Sequence, residues 1–227
     1  MNATSFVKAL AAISLENVFN PYADTCDVYD RADAAAARRR NLRMYLASVE
    51  SLEVDTIWMG RDLGYRGGRR TGLALTDEYH LSELSMVYRG CSVVQATKGP
   101  ALAERTAAEI WAVLRSLDLP PLLWNVFPFH PYESQDQFTN RKFSAKELAV
   151  VDEINASLID WLRIKRVIGI GQDAVRYASR FGVEVLAIRH PSYGGTTEFR
   201  EGMRKIYGLG PSVRRSASHA LEQAALF

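Results

Sequence analysis

Cysteine is scarce: the 227 residues hold two, Cys26 and Cys91. Two thiolates fall short of a four-ligand zinc or iron–sulfur site. One disulfide could form, but two thiols in a reducing cytoplasm is the simpler reading. Long apolar runs are missing too, and none reaches the roughly 18 residues of a membrane span. Between Met1 and Phe19 the only basic residue is Lys8, and Glu16 interrupts the apolar stretch, so a signal peptide is not expected. Nor is there an excess of either charge. The net value is +2, which neither demands nor excludes nucleic acid, and any basic character must be local. No internal repeat and no low-complexity linker divides the chain. With 48% apolar and 24% charged residues, disorder is excluded on composition. The expectation is one cytoplasmic, monomeric domain over residues 1–227, with no membrane segment.

The pattern of apolar residues alternates helix and strand. The Ala- and Arg-rich stretch 32–50 reads as a helix. Val54 to Met59 is β-branched and aromatic and ends at Gly60, which marks a strand. Residues 101–118 place Ala103, Ala107, Ile110, Trp111, Leu114 and Leu117 on one helical face, and Pro120-Pro121 stops the run. Leu122 to Phe127 is a second buried strand, followed by a polar loop to Phe143. Ser144 and Glu147 have the spacing of a capping box that opens a helix to about Arg163. Arg166–Ile170, Gln172–Arg180 and Val183–Ile188 read as strand, helix and strand. Helices are expected after about Thr197 and again after Ser212. Such alternation predicts a three-layer α/β/α domain with a mostly parallel central sheet of about four strands. Ligands in such sheets sit beyond the carboxyl ends of the strands.

Three of the segments that leave strands carry chemistry. The first, Gly60-Arg-Asp-Leu-Gly-Tyr-Arg-Gly-Gly-Arg-Arg-Thr-Gly72, has five glycines around a single carboxylate, Asp62. Glycines let backbone N–H groups approach a ligand. Arg61, Arg66, Arg69 and Arg70 make a local positive patch suited to phosphate. The second ends in Asn125, whose amide carries donors and an acceptor and can read a base edge bidentately. The third is Arg189-His-Pro-Ser-Tyr-Gly-Gly195, a strand-end histidine followed by a phosphate-competent serine.

Together these segments resemble the uracil-DNA glycosylase superfamily. Gly60-Arg-Asp-Leu-Gly64 is similar to its first motif, Gly-Gln-Asp-Pro-Tyr in the prototype enzymes and Gly-Glu-Ala-Pro-Gly in the iron–sulfur branch. Gly72-Leu-Ala-Leu75 resembles the continuation, Leu122-Leu-Trp-Asn125 the Leu-Leu-Leu-Asn strand, and His190-Pro-Ser192 the second motif. The ordered set covers about residues 50–200. The resemblance implies an enzyme that flips deoxyuridine out of DNA and hydrolyses its N-glycosidic bond, with no cofactor and no metal. It implies that Asp62 stabilises the oxocarbenium sugar and orients water. A neutral His190 would donate to uracil O2 as negative charge develops there. Asn125 would read the O4/N3 edge and reject cytosine. Gly60, Arg61, Gly64, Tyr65 and Leu75 would line the uracil, with backbone N–H groups of Arg61 and Asp62 contributing. Arg69, Arg70, Ser192 and Tyr193 would contact the DNA, and uracil-containing DNA is the partner.

The chain departs from that family's pattern at several positions. Gly64 stands where the prototypes keep a thymine-excluding tyrosine, so Tyr65 is the candidate substitute. Leu75 replaces a phenylalanine that stacks on uracil, a contact worth roughly 1–3 kcal/mol. Either Phe127, Phe129 or Tyr132 takes over, or base binding is weaker. Arg61, at a position usually neutral or acidic, would tether Asp62 or keep it ionised. Tyr193-Gly194-Gly195 replaces the Pro-Leu-Ser wedge, so duplex insertion uses Tyr193 or differs altogether. Without further cysteines the iron–sulfur cluster is excluded.

Two other readings compete. Gly169, Gly171 and Ala174 fit G-x-G-x-x-A between a strand and a helix, with Glu184 as a ribose-binding acid, which would suit an NAD-type oxidoreductase. A catalytically silent nucleic-acid-binding module would use Arg69 and Arg70 with Phe127, Phe129 and Tyr132 as a stacking platform. Arg38-Arg-Arg40 reads as an exposed helix face, and His130 as a structural loop residue. Asn140-Arg141 would hydrogen-bond that loop or a phosphate. His80 and His219 lack metal-ligand company, and Ser212–Phe227 reads as a packing helix.

Overall fold

The computed structural model describes residues 1–210, so the helix expected after Ser212, and His219, lie outside the described residues. Helix α1 (Ala3–Ala11) opens at a capping box between Asn2 and Ser5. A two-residue strand β1 (Val18–Phe19) and helix α2 (Ala34–Ser51) follow. Strand β2 (Thr56–Asp62) leads into the glycine-rich segment, which holds the single turn α3 (Gly68–Thr71). A 3₁₀ turn (Tyr79–Glu83) and α4 (Leu84–Val87) precede α5 (Arg105–Leu114). The second half of the chain runs β3 (Leu122–Phe127), β4 (His130–Pro131), α6 (Ala145–Trp161), β5 (Arg166–Ile170), α7 (Gln172–Ala178), β6 (Glu184–Ile188) and α8 (Thr196–Tyr207).

Local chemistry explains most boundaries. The capping box at α6 forms as spaced: the Glu147 N–H donates to Ser144 Oγ at 3.3 Å, and the Ser144 N–H donates to Glu147 Oε2 at 2.6 Å. Helix α5 is shorter than its apolar face suggests. Its first turn is cut back because Glu104 is extended and gives its N–H to Asp77 Oδ2 at 2.6 Å. Segment 127–143 is not wholly loop, since β4 pairs antiparallel with β1, Phe19 opposite His130. Arg38 corrects the expected exposed helix face. It is fully buried, ion-paired with Asp30, and its Nε donates to Arg70 O at 2.9 Å.

The central sheet is wholly parallel in the order β3-β2-β5-β6. Every residue of β3 is buried, so helices cover both faces in a three-layer α/β/α arrangement. Trp58, Trp111 and Trp124 fill the core, and the Trp124 indole N–H donates to Asn155 Oδ1 at 2.8 Å. Burying a large side chain contributes roughly 1.5–3 kcal/mol. Cys26 and Cys91 are both buried and unbridged. Among the described residues no helix is long and apolar enough to cross a membrane.

The chain leaves β2 toward β3 on one side and later leaves β5 toward β6 on the other. The connections after β2 and β5 therefore diverge, which opens a crevice at their carboxyl ends. At that edge Gly60 pairs with Asn125 and Asp62 with Phe127.

Candidate active site

Gly60 lies two residues before the end of β2, and its missing side chain makes room for Asn125. A Cβ at position 60 would stand 2.5 Å from Asn125 Oδ1 and 3.0 Å from Leu75 Cδ2. Gly60, Leu75 and Asn125 thus share one small space. Leu75 is held there with a left-handed backbone, φ 54°, an unfavourable conformation for a residue with a Cβ. Its loop is pinned by Thr71, whose Oγ accepts the Leu73 N–H at 3.1 Å, and by Thr76, whose hydroxyl donates to Ala74 O at 3.0 Å.

The Asn125 side chain is buried, yet among the described residues neither its Nδ2 nor its Oδ1 has a hydrogen-bond partner. An unpaired buried polar group costs roughly 1–3 kcal/mol. A donor and an acceptor left open side by side match a ligand edge that offers one acceptor beside one N–H.

Asp62 sits two residues further along β2. Its side chain is 10% exposed, and Arg61 Nε donates to Oδ2 at 2.8 Å. Burial pushes the carboxyl above its ordinary pKa and Asp173 adds to this, while the charges of Arg61 and Arg141 oppose the rise. The second oxygen, Oδ1, has only a long 3.5 Å contact from Arg61 Nη2. It is the oxygen left without a close partner among the described residues.

His190 lies just past β6 on the same edge. Its Nδ1 accepts the Ser192 N–H at 3.2 Å and lies 2.5 Å from Ser192 Oγ. A ring nitrogen that accepts from a backbone N–H carries no proton, so the neutral ring keeps its proton on Nε2. Burial and the charges of Arg61 and Arg189 lower its pKa. The loop is tightly built: a Cβ at Gly195 would come within 2.2 Å of His190 O, and the Thr196 hydroxyl donates to Pro191 O at 3.1 Å. At its tip Tyr193 is 96% exposed with φ 52°. Arg61 joins the two halves of the site, since it bonds to Asp62 and its charge also acts on His190.

Other expected residues are placed differently. Arg69 and Arg70 correct the expected phosphate patch. Arg69 is fully buried, donating to Gln137 O (2.8 Å), Gln137 Oε1 (2.7 Å), Tyr29 Oη (2.7 Å) and His130 Nδ1 (2.9 Å). Its guanidinium lies 3.9 Å from the Phe19 ring centroid. Arg70 pairs with Glu78 at 2.9 Å and stacks on Tyr29. Both brace the loop from inside. Ser192 spends its N–H and its hydroxyl on His190. Gly64 is partly exposed, and Tyr65 gives its N–H to Asn140 Oδ1 at 3.1 Å. Asn140 and His130 therefore fasten the first loop from behind, as His130 Nε2 donates to Thr139 O at 2.8 Å.

The two competing readings lose their geometry. Gly171 follows β5, whereas Glu184 starts β6 and pairs with Arg166, so the two lie at opposite ends of the sheet. Gly169 has a packing reason instead: a Cβ there would be 2.8 Å from the Val175 N. Phe127 and Phe129 are fully buried against each other and offer no stacking platform.

Sequence reasoning missed Glu104. Its carboxylate lies against the first loop, where a Cβ on Gly67 would be 2.2 Å from Oε2. Burial and the nearby Asp77 raise its pKa, and Arg66 opposes them. No spacing rule brings residue 104 to residue 67. Among the described residues no cluster of three or more His, Cys, Asp or Glu is placed to hold a metal. Two cavities, of about 290 and 590 Å³, lie at the other end of the sheet beside Asp55 and Lys165, and they gather none of these groups.

No sequence-family model matches the chain, and no curated protein matches it. The structure is similar to the crystal structure of wild-type SMUG2 from Pedobacter heparinus, with a TM-score of 0.62 at 14% identity. The match spans 98% of this chain and 99% of that one. At that identity the likeness establishes a shared fold.

Proposed function

We propose that this protein is a DNA glycosylase that releases uracil from DNA and leaves an abasic site. The observation that carries the reading is the buried, unpartnered amide of Asn125 facing the gap at Gly60, on the same sheet edge as Asp62 and His190. The fold shared with SMUG2, a glycosylase of the uracil-DNA glycosylase superfamily, supports it.

Uracil presents O4 as an acceptor beside N3–H as a donor. Asn125 Nδ2–H would donate to O4, and Oδ1 would accept from N3–H. Cytosine carries an amino group at C4 and no proton on N3, so with the amide held in this orientation both contacts fail and the amide stays unsatisfied. Rejection by a mismatched buried polar group is strong, because the penalty is the desolvation of that group.

The bond between N1 and C1′ breaks with its electron pair going to the base. Negative charge then gathers at O2, where His190 Nε2–H is the donor. A neutral ring donates without the cost of a second cation beside Arg61 and Arg189. One preorganised donor of this kind is worth about 100–1000-fold in rate. Asp62 stands by the cationic sugar; its Oδ1 orients the water that adds to C1′ and takes up the proton that water loses. Tyr193, Arg189, Arg66 and the exposed part of Arg61 are among the side chains available to DNA on this rim.

The test is a single-turnover assay on a single-stranded oligonucleotide bearing one uracil. The wild-type protein is expected to leave an alkali-labile abasic site and Asp62→Asn to leave almost none. Strands that stay intact after long incubation with the wild type overturn the proposal.

A further inference from the structure

We propose that Arg61 is a positioning residue that acts on both Asp62 and His190: its guanidinium fixes which Asp62 oxygen is free and holds a fixed positive charge beside the pair. This rests on the glycosylase reading above for the roles of those two residues.

Adjacent side chains in a strand point to opposite faces. Arg61 nonetheless folds round the end of β2 to put Nε 2.8 Å from Asp62 Oδ2. That bond claims one oxygen and leaves Oδ1 with only the 3.5 Å contact. The arginine makes few contacts of its own. Its side chain is 39% exposed, and Asp62 is its only hydrogen-bond partner among the described residues. Asp62 is buried, so the pair also offsets part of the cost of an ionised carboxylate at that place. Its position is explained by what it does to its neighbours.

The charged groups around the pair come from four segments. Asp62 feels Arg61 on its own strand, Asp173 from α7 and Arg141 from the segment before α6. His190 feels Arg61 and Arg189. Arg61 feels Asp62, Asp173 and Tyr193. Asp173 is itself paired with Lys142 at 2.8 Å. Arg61 acts on both Asp62 and His190. Burial favours a protonated Asp62, and Arg61 works against it. A protonated His190 would put a second cation beside Arg61. Activity needs Asp62 ionised and His190 neutral, so protonation of either group switches the site off. The rate should therefore rise with pH to a plateau, and Arg61 sets where the rise begins.

The experiment compares wild type, Arg61→Gln and Arg61→Lys by single-turnover uracil release across a pH series, with His190 titrated by NMR in the DNA-free proteins. In Arg61→Gln the acid limb is expected to move up by about one pH unit. That is about a tenfold loss on the limb and a smaller loss on the plateau. Arg61→Lys keeps the charge and should hold the limb close to that of the wild type. The His190 titration should move up in Arg61→Gln and stay in Arg61→Lys. Equal slowing at all pH values, or an unmoved His190 titration, overturns the inference. A wild type without activity defeats the glycosylase reading instead, and the NMR titration still decides what Arg61 does to His190.

Discussion

Gly60 and Asn125 are paired across neighbouring parallel strands, and the amide of Asn125 occupies the place where any side chain at position 60 would stand. Gly60→Ala should therefore displace the amide and Leu75 together. We expect uracil release to fall by about 100-fold with the circular dichroism spectrum unchanged. Asn125→Ala should lose activity at least as strongly. It should not lose stability, since it removes two unsatisfied buried atoms; thermal melting is expected to match the wild type or exceed it by about 1 kcal/mol. A large drop in melting temperature for Asn125→Ala would mean the amide has partners in the folded protein.

Asp62 should carry a similar trade of stability for function. Its folded pKa lies above its ordinary value. The folded protein then holds a proton at Asp62 more firmly than the unfolded chain does, so this group's contribution falls as pH rises through the folded pKa. At neutral pH the ionised, buried carboxylate is a net cost. Asp62→Asn is expected to abolish release while raising the melting temperature at pH 7, and to lose that advantage in acid. Scanning calorimetry at two pH values checks the sign.

The buried pair of Arg69 and His130 gives an acid sensitivity of the opposite sign. Burial and the Arg69 charge push the His130 pKa down to about 4, against 6.5 for a free ring. Its stabilising neutral form is fully favoured above about pH 6.5, and stability is lost as pH falls toward 4. The full effect is about 3 kcal/mol. Urea denaturation at neutral and acid pH should show it, and His130→Asn should flatten the dependence. Arg69→Ala should destabilise by at least about 3 kcal/mol, since it strands several buried acceptors. An Arg69→Ala protein with normal stability and weakened DNA affinity would restore the phosphate role that burial denies it.

Tyr193 stands almost fully in solvent on a strained loop tip. Tyr193→Ala should leave stability within about 0.5 kcal/mol. It should slow release several-fold from duplex DNA and less from a single strand, because an exposed ring can fill the gap left by an extruded base. Equal rates on both substrates would rule that role out.

The strands, and the placing of Asp62, Asn125 and His190 on or just past them, were legible from the chain because each is a local signal. Apolar runs gave β2, β3 and β5; Asp62 ends β2, His190 follows β6, and Asn125 lies two residues inside the end of β3. The arginines were not legible. Arg69, Arg70 and Arg38 read as surface charge, but Gln137, Glu78 and Asp30 wait for them inside the fold. Only tertiary contact reveals that. The same holds for Glu104 against Gly67, and for β1 with β4, two residues each and too short for any periodicity. The left-handed backbone of Leu75 also has no signature, because leucine gives no hint of it.

The spacing between the Asn125 amide and the Asp62 carboxyl is set by hydrogen-bonded register. Asn125 lies level with Gly60, and Asp62 follows two residues on, a step of about 6.6 Å along a parallel strand. Loops around the rim can lengthen, shorten or change composition without altering that step. On the glycosylase reading, a lineage of such proteins would exchange its DNA-gripping surface freely while the ruler between recognition and bond cleavage stays fixed in the sheet.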